Sequence, residues 1–412
     1  MKITYILQAF PQISETFIIN EILALRDNKP DIHLSIISLK RPKRPAPHES
    51  VRSLQVDYLS EINISLVKLA VFILIKSLLR PIAVAKSMWY FARVKRGNFL
   101  FYYTIRYWRL LFMLFRLAYI IEKQNSHHLH AHFGNNPAQF AMCAYLITGI
   151  PYSFTTHARD IFVYNELLYW KHHYAEFSVT ISDYNKKYLE QKLHVESERL
   201  HVVPCCINAS YFTMKKYERD TDKPFFITAI GRLVEKKGFQ FLINVCKRMK
   251  TDNLNFKCYI IGNGPLKESY QRLIDTLSVN DEVILCGEKT QEYIRSILHD
   301  TDVFVLPCIK AADGDMDGVP VVLKEAMAMG VVCISTMFSG IPELLEGSGI
   351  LVPPEDEYAL YSAVKDVYFM TPEQKNKIAL AQRKVIEDKF TLKRQADMLY
   401  SLFRKSIDRQ RG

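Results

Sequence analysis

The second half of the chain contains two cations whose position suits a phosphate ligand. Arg232 and Lys237 belong to the segment GRLVEKKG, which begins with Gly231 and directly follows the apolar run FFITAI. Arg binds a phosphate through two parallel hydrogen bonds, and Lys binds it as a point charge. A helix N-terminus beside the strand end favours an anion further. The segment therefore predicts a phosphate site; the alternative is a solvated loop with charges at a helix start.

Two acids further along the chain are spaced for the recognition of a sugar. Asp317 and Glu325 are separated by seven residues in the segment DGVPVVLKE. Gly318, Val319 and Pro320 predict a tight loop before a helix, which places one carboxylate in the loop and the other on the first helical turns. Carboxylates accept hydrogen bonds, which sugar hydroxyls donate. The alternative is a capping acid followed by a solvated acid.

The segment IGNGP resembles the start of a dinucleotide-binding fingerprint. Gly262 and Gly264 follow a strand-like run, but Lys267 occupies the position of the third glycine. Because the fingerprint is incomplete, the segment argues against a dinucleotide-dependent oxidoreductase. Glycines at a strand end still allow the close approach of a nucleotide, so both are expected on the donor side.

Two patterns suggest metal sites and are rejected. The run DGDMDG begins like a calcium loop, but its twelfth position is Lys324 instead of Glu, and Pro320 interrupts it. His128, His130 and His132 alternate on one face of a strand, yet no further ligand stands at a spacing typical of zinc. We therefore expect a polar strand end, with no metal and no cofactor.

The first half of the chain adds a histidine and a polar loop. His157 follows the strand-like run YSFTT, and a histidine at the carboxyl end of a parallel strand faces the ligand side of such a sheet. It can donate to a sugar or phosphate oxygen, although a lone histidine is often structural. Ser14, Glu15 and Thr16 follow the first strand and reach the same side.

Short apolar runs alternate with helical stretches, which predicts parallel sheets with helical crossovers. The predicted strands are Ile3–Gln8, His33–Ser38, His128–Phe133, Tyr152–Thr156, Phe177–Ile181, Phe225–Ile230, Lys257–Ile261, Val283–Cys286, Val303–Leu306 and Val332–Ser335. The pattern restarts after Leu200–Cys206. Two doubly wound domains are therefore expected over residues 1–205 and 206–387, followed by a C-terminal helix over 388–412 that is a candidate to pack on the first domain.

The positive charge of the chain is concentrated in one stretch. The 412 residues carry a formal charge of +11, yet residues 62–121 contain ten basic residues and no Asp or Glu. Arg106, Arg109 and Arg116 fall on one side of an otherwise apolar helix, which predicts an interfacial helix at an anionic membrane. The alternative is a set of buried crossover helices. Nucleic acid is excluded as a partner, since the cations are threaded through large apolar runs.

The sequence predicts a cytoplasmic chain on the inner face of the cytoplasmic membrane. Its first residues lack the pattern of a signal peptide, and no stretch is apolar enough for a transmembrane helix. None of the eight cysteines forms a CxxC pair, which favours a reduced compartment.

Together these segments resemble glycosyltransferase family 4, whose members are retaining nucleotide-sugar transferases of the GT-B fold. The resemblance is most specific across Phe225–Val352. The segments ILQAFPQISETFIINEI, HAHFG, TTHARDIF and DGDMDGVPVVLKEAMA are similar to the branch that builds bacterial exopolysaccharide, including colanic-acid transferases. The resemblance implies an α/β fold with two Rossmann-like domains that face each other across a cleft.

The resemblance also implies roles for the candidate residues. Arg232 and Lys237 match the pair that holds the donor diphosphate, and Glu325 matches the second acid of the E-x7-E motif, which binds the ribose. Asp317 stands at the first acid, which touches the donor sugar, but it is one methylene shorter than the usual Glu. His157 matches a cleft histidine near that sugar. The acceptor-side candidates are Ser14, Glu15, Thr16 and His132.

The function implied is the transfer of a hexose from a UDP- or GDP-linked donor to a lipid-linked oligosaccharide. The leaving phosphate would help to deprotonate the acceptor, and two cationic side chains would make a metal unnecessary. The alternative is a non-catalytic GT-B subunit of a polysaccharide-assembly complex, which the shorter Asp317 slightly favours.

Overall fold

The computed structural model describes residues 1–12, 15–42, 53–93, 101–218 and 223–409, without the side chains of residues 101–106. Contacts within the chain divide it into two compact units. The first unit comprises Met1–Ile181, Asn185–Pro204 and Lys393–Gly412, and the second comprises Ser182–Tyr184 and Cys205–Leu392. The division after residue 204 lies one residue before the boundary expected from the sequence, and the C-terminal segment of the first unit begins at 393 instead of 388.

The first unit is built on a seven-stranded sheet. Its strands are β1 (Lys2–Ala9), β2 (His33–Lys40), β3 (Val56–Tyr58), β4 (His128–His132), β5 (Tyr152–Thr156), β6 (Phe177–Thr180) and β7 (Leu200–Val202). They lie in the order β3-β2-β1-β4-β5-β6-β7, and every neighbouring pair is parallel. In the register of the sheet, Ile3 pairs with Leu34 on one side and with His128 on the other.

Helices connect these strands. They are α1 (Thr16–Asn28), α2 (Leu66–Leu79), α3 (Pro81–Arg93), α4 (Phe101–Lys123), α5 (Asn136–Thr148), α6 (Arg159–Phe162), α7 (Leu168–Tyr174) and α8 (Asp183–Leu193). The last helix of the chain, α16 (Leu392–Asp408), is also attached to this unit. The Gln395 amide donates to Glu21 over 2.8 Å, and the Ser406 hydroxyl lies 2.9 Å from Nδ1 of His128.

The second unit has a six-stranded parallel sheet. Its strands are β8 (Phe225–Ile230), β9 (Phe256–Ile261), β10 (Val283–Gly287), β11 (Val303–Leu306), β12 (Val332–Thr336) and β13 (Ile350–Val352), in the order β10-β9-β8-β11-β12-β13. Its helices are α9 (Phe239–Thr251), α10 (Lys267–Leu277), α11 (Gln291–Asp300), α12 (Val321–Ala328), α13 (Ile341–Leu345), α14 (Glu357–Phe369) and α15 (Pro372–Lys389).

The strands and the helices of the second unit have the different patterns of apolar residues that each type of element requires. Every residue of β11 and β12 is buried, as expected for strands covered by helices on both faces of a parallel sheet. In α9 the buried side chains Phe239, Leu242, Ile243 and Cys246 recur at helical spacing, so one face of the helix packs on the core. The predicted fold class is confirmed, because each unit is a doubly wound, Rossmann-like α/β structure.

The strand order reverses once in each unit. In the first unit the reversal lies between β1 and β4, and in the second it lies between β8 and β11. The connections after such a pair of strands leave on opposite faces of the sheet, which opens a crevice at the carboxyl ends of the strands. The loops after β1 and β4 and the loops after β8 and β11 are therefore the places where ligand-binding side chains are expected.

The structure corrects the expected cationic stripe on α4. The Arg116 guanidinium donates to the backbone carbonyl of Leu59 over 3.1 Å and to that of Ile62. The neighbouring side chains Leu114 and Ile121 are fully buried, so this half of the helix belongs to the core. The prediction that Arg116 faces a membrane is wrong. Arg109 is exposed, and the side chain of Arg106 lies outside the described residues.

Within the described part of the chain, none of the helices combines the length and the apolar character needed to cross a bilayer. The longest helix of the basic stretch, α4, extends over 23 residues but carries several charged side chains.

Candidate functional site

The loop after β8 carries the two predicted phosphate-binding cations. Arg232 is exposed at the start of the loop, and Lys237 ends a short 3-10 turn that spans Glu235–Lys237. Gly238 follows with a φ of +65°, and a Cβ there would lie 1.9 Å from the carbonyl oxygen of Pro307. Only glycine fits this close approach, and it lets α9 begin directly behind the cations.

Lys237 is not free in the structure, because it forms an ion pair with Asp317. The Lys237 ammonium lies 2.5 Å from one oxygen of Asp317, and Lys236 lies 3.0 Å from the other. Lys236 also contacts Asp315 over 3.1 Å. The loops after β8 and β11 are thus joined by two lysines and two aspartates. The sequence drew attention to Lys237 and Asp317 but gave Lys236 and Asp315 no part in this cluster.

The lysines keep Asp317 ionised. Burial alone would raise the pKa of this carboxyl, but the charges of Lys237 and Lys236 more than offset that effect and hold the pKa below its usual range. Both oxygens of Asp317 already face an ammonium group, and its side chain is only 14% exposed. In this arrangement Asp317 neutralises Lys237, one of the two cations predicted to bind phosphate. Arg232, by contrast, has no hydrogen bond or ion pair from its side chain to any described residue.

Glu325 lies on α12, one helical turn after the loop that contains Gly318, Val319 and Pro320. It is 7% exposed, and it accepts a hydrogen bond of 2.9 Å from the Gln291 side chain. Burial raises the pKa of Glu325 to about 7, although the hydrogen bond from Gln291 acts in the opposite direction. Sequence reasoning missed Gln291, since a single polar residue at the start of a helix has no recognisable pattern.

Gly262 and Gly264 hold the loop after β9 against the loop after β8. A Cβ on Gly262 would lie 1.9 Å from the carbonyl oxygen of Gly231, and one on Gly264 would lie 2.5 Å from that of Leu233. Backbone hydrogen bonds join the same loops, since the Gly231 amide donates to Ile261 over 2.9 Å. Both positions therefore require glycine, because only a residue without a side chain lets the two loops pack this closely and so positions the cationic loop.

In the first unit, the predicted acceptor-side residues gather at the carboxyl ends of β1, β4 and β5. Nδ1 of His132 lies 3.2 Å from Nε2 of His157, and the two rings are stacked. Glu15 and Thr16 stand at the start of α1. The pKa of Glu15 is raised to about 7 because the effect of burial exceeds the opposing effect of the nearby His132. Ser14 lies outside the described residues.

A buried carboxylate that the sequence did not reveal supports this histidine pair. Glu21 on α1 is 3% exposed; one of its oxygens lies 2.9 Å from the Tyr5 hydroxyl and 2.8 Å from Nε2 of His132. Its other oxygen accepts from Gln395. If His132 donates to Glu21 through Nε2, its Nδ1 accepts from His157. Glu21 thus orients both imidazoles.

Asp160 is a second residue that sequence reasoning missed. This buried carboxylate accepts backbone hydrogen bonds from Gly134 over 2.6 Å, from His157 over 3.0 Å and from Ala158 over 3.1 Å. It therefore ties the loop after β4 to the loop after β5 and fixes the backbone of His157. Burial raises the pKa of Asp160, and the backbone amides offset part of that effect.

Three buried side chains of this region have the composition of a metal site. Ligand atoms of Glu21, His130 and His132 lie within 4.8 Å of one another. The ring nitrogens of His130 are, however, 2.8 Å from the Ser153 hydroxyl and 3.1 Å from that of Thr155. Glu21 and His132 are hydrogen-bonded to each other. The three side chains also belong to a connected hydrogen-bond network with Tyr5, Ser153 and Thr155.

Solved structures with this fold include glycosyltransferases. The crystal structure of a glycosyltransferase from Rickettsia africae ESF-5 aligns with a TM-score of 0.71 and 15% identity and covers 98% of both chains. The crystal structure of Anabaena HepE in complex with UDP aligns with a TM-score of 0.70 and 13% identity, over 98% of this chain and 100% of that one. At such identities the similarity shows the fold alone, which defines the chain as a GT-B-type protein.

The family follows from two models that match separate parts of the chain. The model described as Glycosyltransferase Family 4 matches residues 70–211, and the one described as Glycosyl transferases group 1 matches residues 224–368. The first match includes the loops with His132 and His157, and the second includes the loops with Lys237 and Asp317. The resemblance to glycosyltransferase family 4 inferred from the motifs of the chain is confirmed over these two regions.

Two similar curated proteins are named for the biosynthesis of colanic acid and of amylovoran. "Putative colanic acid biosynthesis glycosyltransferase WcaL" from Escherichia coli (strain K12) is 38% identical over 172 residues, which is 41% of this chain and 42% of that protein. Amylovoran biosynthesis glycosyltransferase AmsK from Erwinia amylovora is 41% identical over 167 residues, 40% of each chain. The chain thus matches about two fifths of the length of these relatives.

Proposed function

We propose that the protein is a retaining glycosyltransferase that moves a hexose from a nucleotide sugar to a lipid-linked oligosaccharide in the synthesis of a bacterial surface polysaccharide or exopolysaccharide. The observation that carries this proposal is the set of cations and acids at the strand reversal of the second unit, which is where α/β sheets bind ligands. The names of WcaL and AmsK support the polysaccharide role. The donor is UDP- or GDP-linked; the presence of UDP in the HepE structure supports a nucleotide ligand.

The donor diphosphate would bind to Arg232 and Lys237. Arg232 is exposed and suits a bidentate contact. Lys237 must exchange its ion pair with Asp317 for the phosphate, and Asp317 keeps Lys236 as a partner at 3.0 Å. The cluster can therefore release one lysine without leaving the buried carboxylate alone. This exchange gives Asp317 a role even though it is shorter than the usual Glu.

The chemical step would use the same cations. The bond between the sugar C1 and the diphosphate oxygen breaks, and a bond from C1 to the acceptor oxygen forms on the same face. The proton of the acceptor hydroxyl passes to the leaving phosphate. Negative charge grows on that phosphate in the transition state, where Arg232 and Lys237 stabilise it more than in the ground state. No other base and no metal is needed in this scheme.

Glu325 would hold the ribose of the donor. A ribose hydroxyl that donates to the carboxylate would replace water and stabilise the ionised form. Because burial places the pKa of Glu325 at about 7, donor binding would release protons near neutral pH. On the first unit, His157 would contact the donor sugar, and His132, Glu15, Thr16 and Ser14 would serve the acceptor side.

The proposal includes a place for the protein, which is the inner face of the cytoplasmic membrane. The basic residues concentrated in 62–121 and the absence of acids there favour an anionic surface. A lipid-linked acceptor lies in the same surface, so peripheral attachment would bring enzyme and acceptor together.

The proposal is tested by measuring hexose transfer from UDP- and GDP-linked donors to a lipid-linked oligosaccharide by wild-type protein and by Arg232→Ala. Loss of one preorganised donor to a developing charge costs about 10²–10³ in rate. Arg248→Ala, which removes an exposed cation from the far end of α9, should retain wild-type turnover. Equal turnover in Arg232→Ala and wild type would contradict the assignment, and donor binding without transfer by the wild type would favour the non-catalytic subunit.

A further inference from the structure

The outward face of α2 is apolar, which is the reverse of an ordinary surface helix. In its 14 residues, LVKLAVFILIKSLL, the only buried side chain is Leu69. Exposed fractions reach 70% for Leu66, 73% for Val67, 60% for Leu74 and 73% for Leu78. A helix on the surface of a water-exposed domain normally turns its polar side outwards. The outer side of α2 therefore needs a partner that is itself apolar.

The orientation of α2 is fixed by contacts on its other side. The ring of Phe72 packs edge-on against Tyr119 of α4, with centroids 5.5 Å apart. The ammonium of Lys76 forms an ion pair of 2.8 Å with Glu122, at the end of the same helix. These contacts and Leu69 lie on one side of α2, whereas the residues at positions 66, 70, 74 and 78 lie on the other. The apolar side cannot turn inwards without breaking them.

Apolar residues remain exposed past the end of α2, and exposed basic residues are interspersed with them along the chain. Ile82 is 72% exposed at the start of α3, and Trp89 is 43% exposed beneath the guanidinium of Arg93, which lies 4.1 Å from its ring. The exposed basic residues of α2, α3 and the single residue between them are Lys68, Arg80, Lys86 and Arg93. The two helices contain no acid. We call this apolar surface with its cations the α2 face.

Charge selects the partner of the α2 face. Two copies of the chain that met through this face would place like charges against each other, which disfavours a symmetric dimer. An anionic bilayer offers an apolar interior beneath negatively charged headgroups and therefore matches both parts of the face. At a rise of 1.5 Å per residue, α2 is about 21 Å long, too short to cross a hydrocarbon core of about 30 Å.

We propose that α2 lies in the plane of an anionic membrane, with its outward apolar side chains inserted below the headgroups and Lys68, Lys86 and Arg93 in contact with lipid phosphates. The structure assigns the membrane contact to α2, whereas the sequence pointed to the arginines of α4. This inference rests on the peripheral attachment included in the proposed function, but not on the catalytic assignment.

The experiment compares co-sedimentation of the 412-residue protein with vesicles of phosphatidylcholine alone and of phosphatidylcholine mixed with phosphatidylglycerol. Wild type should bind the mixed vesicles more tightly than the neutral ones, and high salt should weaken the binding. The double variant Leu74→Ser/Leu78→Ser should bind at least about tenfold more weakly, since it loses two inserted side chains. Both residues are exposed in the structure, so the melting temperature should stay close to that of wild type.

A matched control removes apolar surface elsewhere. Phe369 and Leu380 are 65% and 60% exposed on helices of the second unit, and Phe369→Ser/Leu380→Ser should bind mixed vesicles like wild type. Equal binding by the Leu74→Ser/Leu78→Ser variant and wild type would overturn the proposal, as would no binding of wild type to mixed vesicles. A wild-type dimer that this double variant dissociates would assign the face to a second copy and also overturn it.

The test of membrane binding by α2 and the test of the donor site can succeed or fail independently. Leu74→Ser/Leu78→Ser should retain the thermal stabilisation by a nucleotide sugar, while Arg232→Ala should retain vesicle binding. Failure of the membrane proposal therefore leaves the donor site untouched, and failure of the donor site leaves the α2 face untouched.

Discussion

At the scale of single residues, the proposed donor site contains charged side chains that already pair with one another in the structure without a ligand. Asp317 is ionised between Lys236 and Lys237, while Glu325 is buried with a neutral amide as its partner. The pKa of the first acid is lowered by the two lysines, and burial raises the pKa of the second to about 7. The pKa values of the two acids of one motif are thus shifted in opposite directions, because Asp317 has charged neighbours and Glu325 does not.

This difference predicts a pH-dependent contribution of Glu325 to stability. Its pKa in the folded protein, about 7, is above the ordinary value of 4.5, so the folded state binds the proton more tightly than the unfolded state. The contribution is complete below pH 4.5 and is lost as the pH rises through 7. The shift corresponds to about 3 kcal/mol. Glu325→Gln, which cannot ionise, should melt at a higher temperature than wild type at about pH 8 but close to wild type at about pH 5.

Thermal unfolding of both proteins across this range measures the effect. Glu346→Gln changes an exposed carboxylate and should follow the wild-type profile. If Glu325→Gln and wild type kept the same difference in melting temperature at both pH values, the buried carboxyl would not be the titrating group. The same variant should bind a nucleotide sugar more weakly, since a neutral amide oxygen accepts a weaker hydrogen bond from the ribose than the proposed carboxylate does.

The candidate residues that the sequence revealed share one property: they stand in short local patterns. Arg232 and Lys237 lie in one loop, and Asp317 and Glu325 lie on either side of another. The supporting residues could not be found in this way. Gln291 is 34 positions from Glu325, and Glu21 is 111 positions from His132. Only the folded sheet brings such distant side chains together.

At the scale of elements, the longer interior strands were predictable and the short edge strands were not. The runs predicted for β5, β8 and β11 agree with the observed bounds, because interior strands of a parallel sheet are buried on both faces and are rich in apolar and β-branched residues. By contrast, β3, β7 and β13 were missed. Each has three residues, and its pairing depends on a neighbouring strand more than on its own composition.

The packing of the loop after β9 on the loop after β8 predicts a localised defect in Gly262→Ala. The new Cβ would lie 1.9 Å from the carbonyl oxygen of Gly231, and a residue with a φ of +144° is strained unless it is glycine. We expect a loss of about 1–3 kcal/mol of stability or more, as for other overpacked sites. Donor binding should weaken as well, since the cationic loop must move.

Gly347→Ala serves as the control for backbone strain. Gly347 also has a positive φ, +76°, but no atom lies within 4 Å of its added Cβ. Its melting temperature should fall by less than that of Gly262→Ala, with unchanged nucleotide binding. If the two variants lost equal stability and both bound nucleotide like wild type, the close approach of the loops would have no role in shaping the site.

At the scale of the whole molecule, the excess charge belongs to one part of the first unit. Outside residues 62–121 the chain has 44 basic and 43 acidic residues, so the remainder is nearly neutral. The sequence located this basic stretch but not its orientation, because helical spacing alone does not say which side of a helix packs inwards. The contacts of α2 with Tyr119 and Glu122 decide this point.

In the proposed function, Arg232 and Lys237 of the second unit hold the diphosphate of a nucleotide sugar. The most direct test follows the melting temperature of wild type, Lys237→Ala and Arg248→Ala while UDP- and GDP-linked hexoses are titrated. At a donor concentration 100 times the dissociation constant, wild type should gain about 2.7 kcal/mol of stability. Arg248→Ala should gain the same stability as wild type. Lys237→Ala should need at least about tenfold more donor for the same gain, since it lacks a charge-assisted contact. The same titration curve for Lys237→Ala and wild type would contradict the claim.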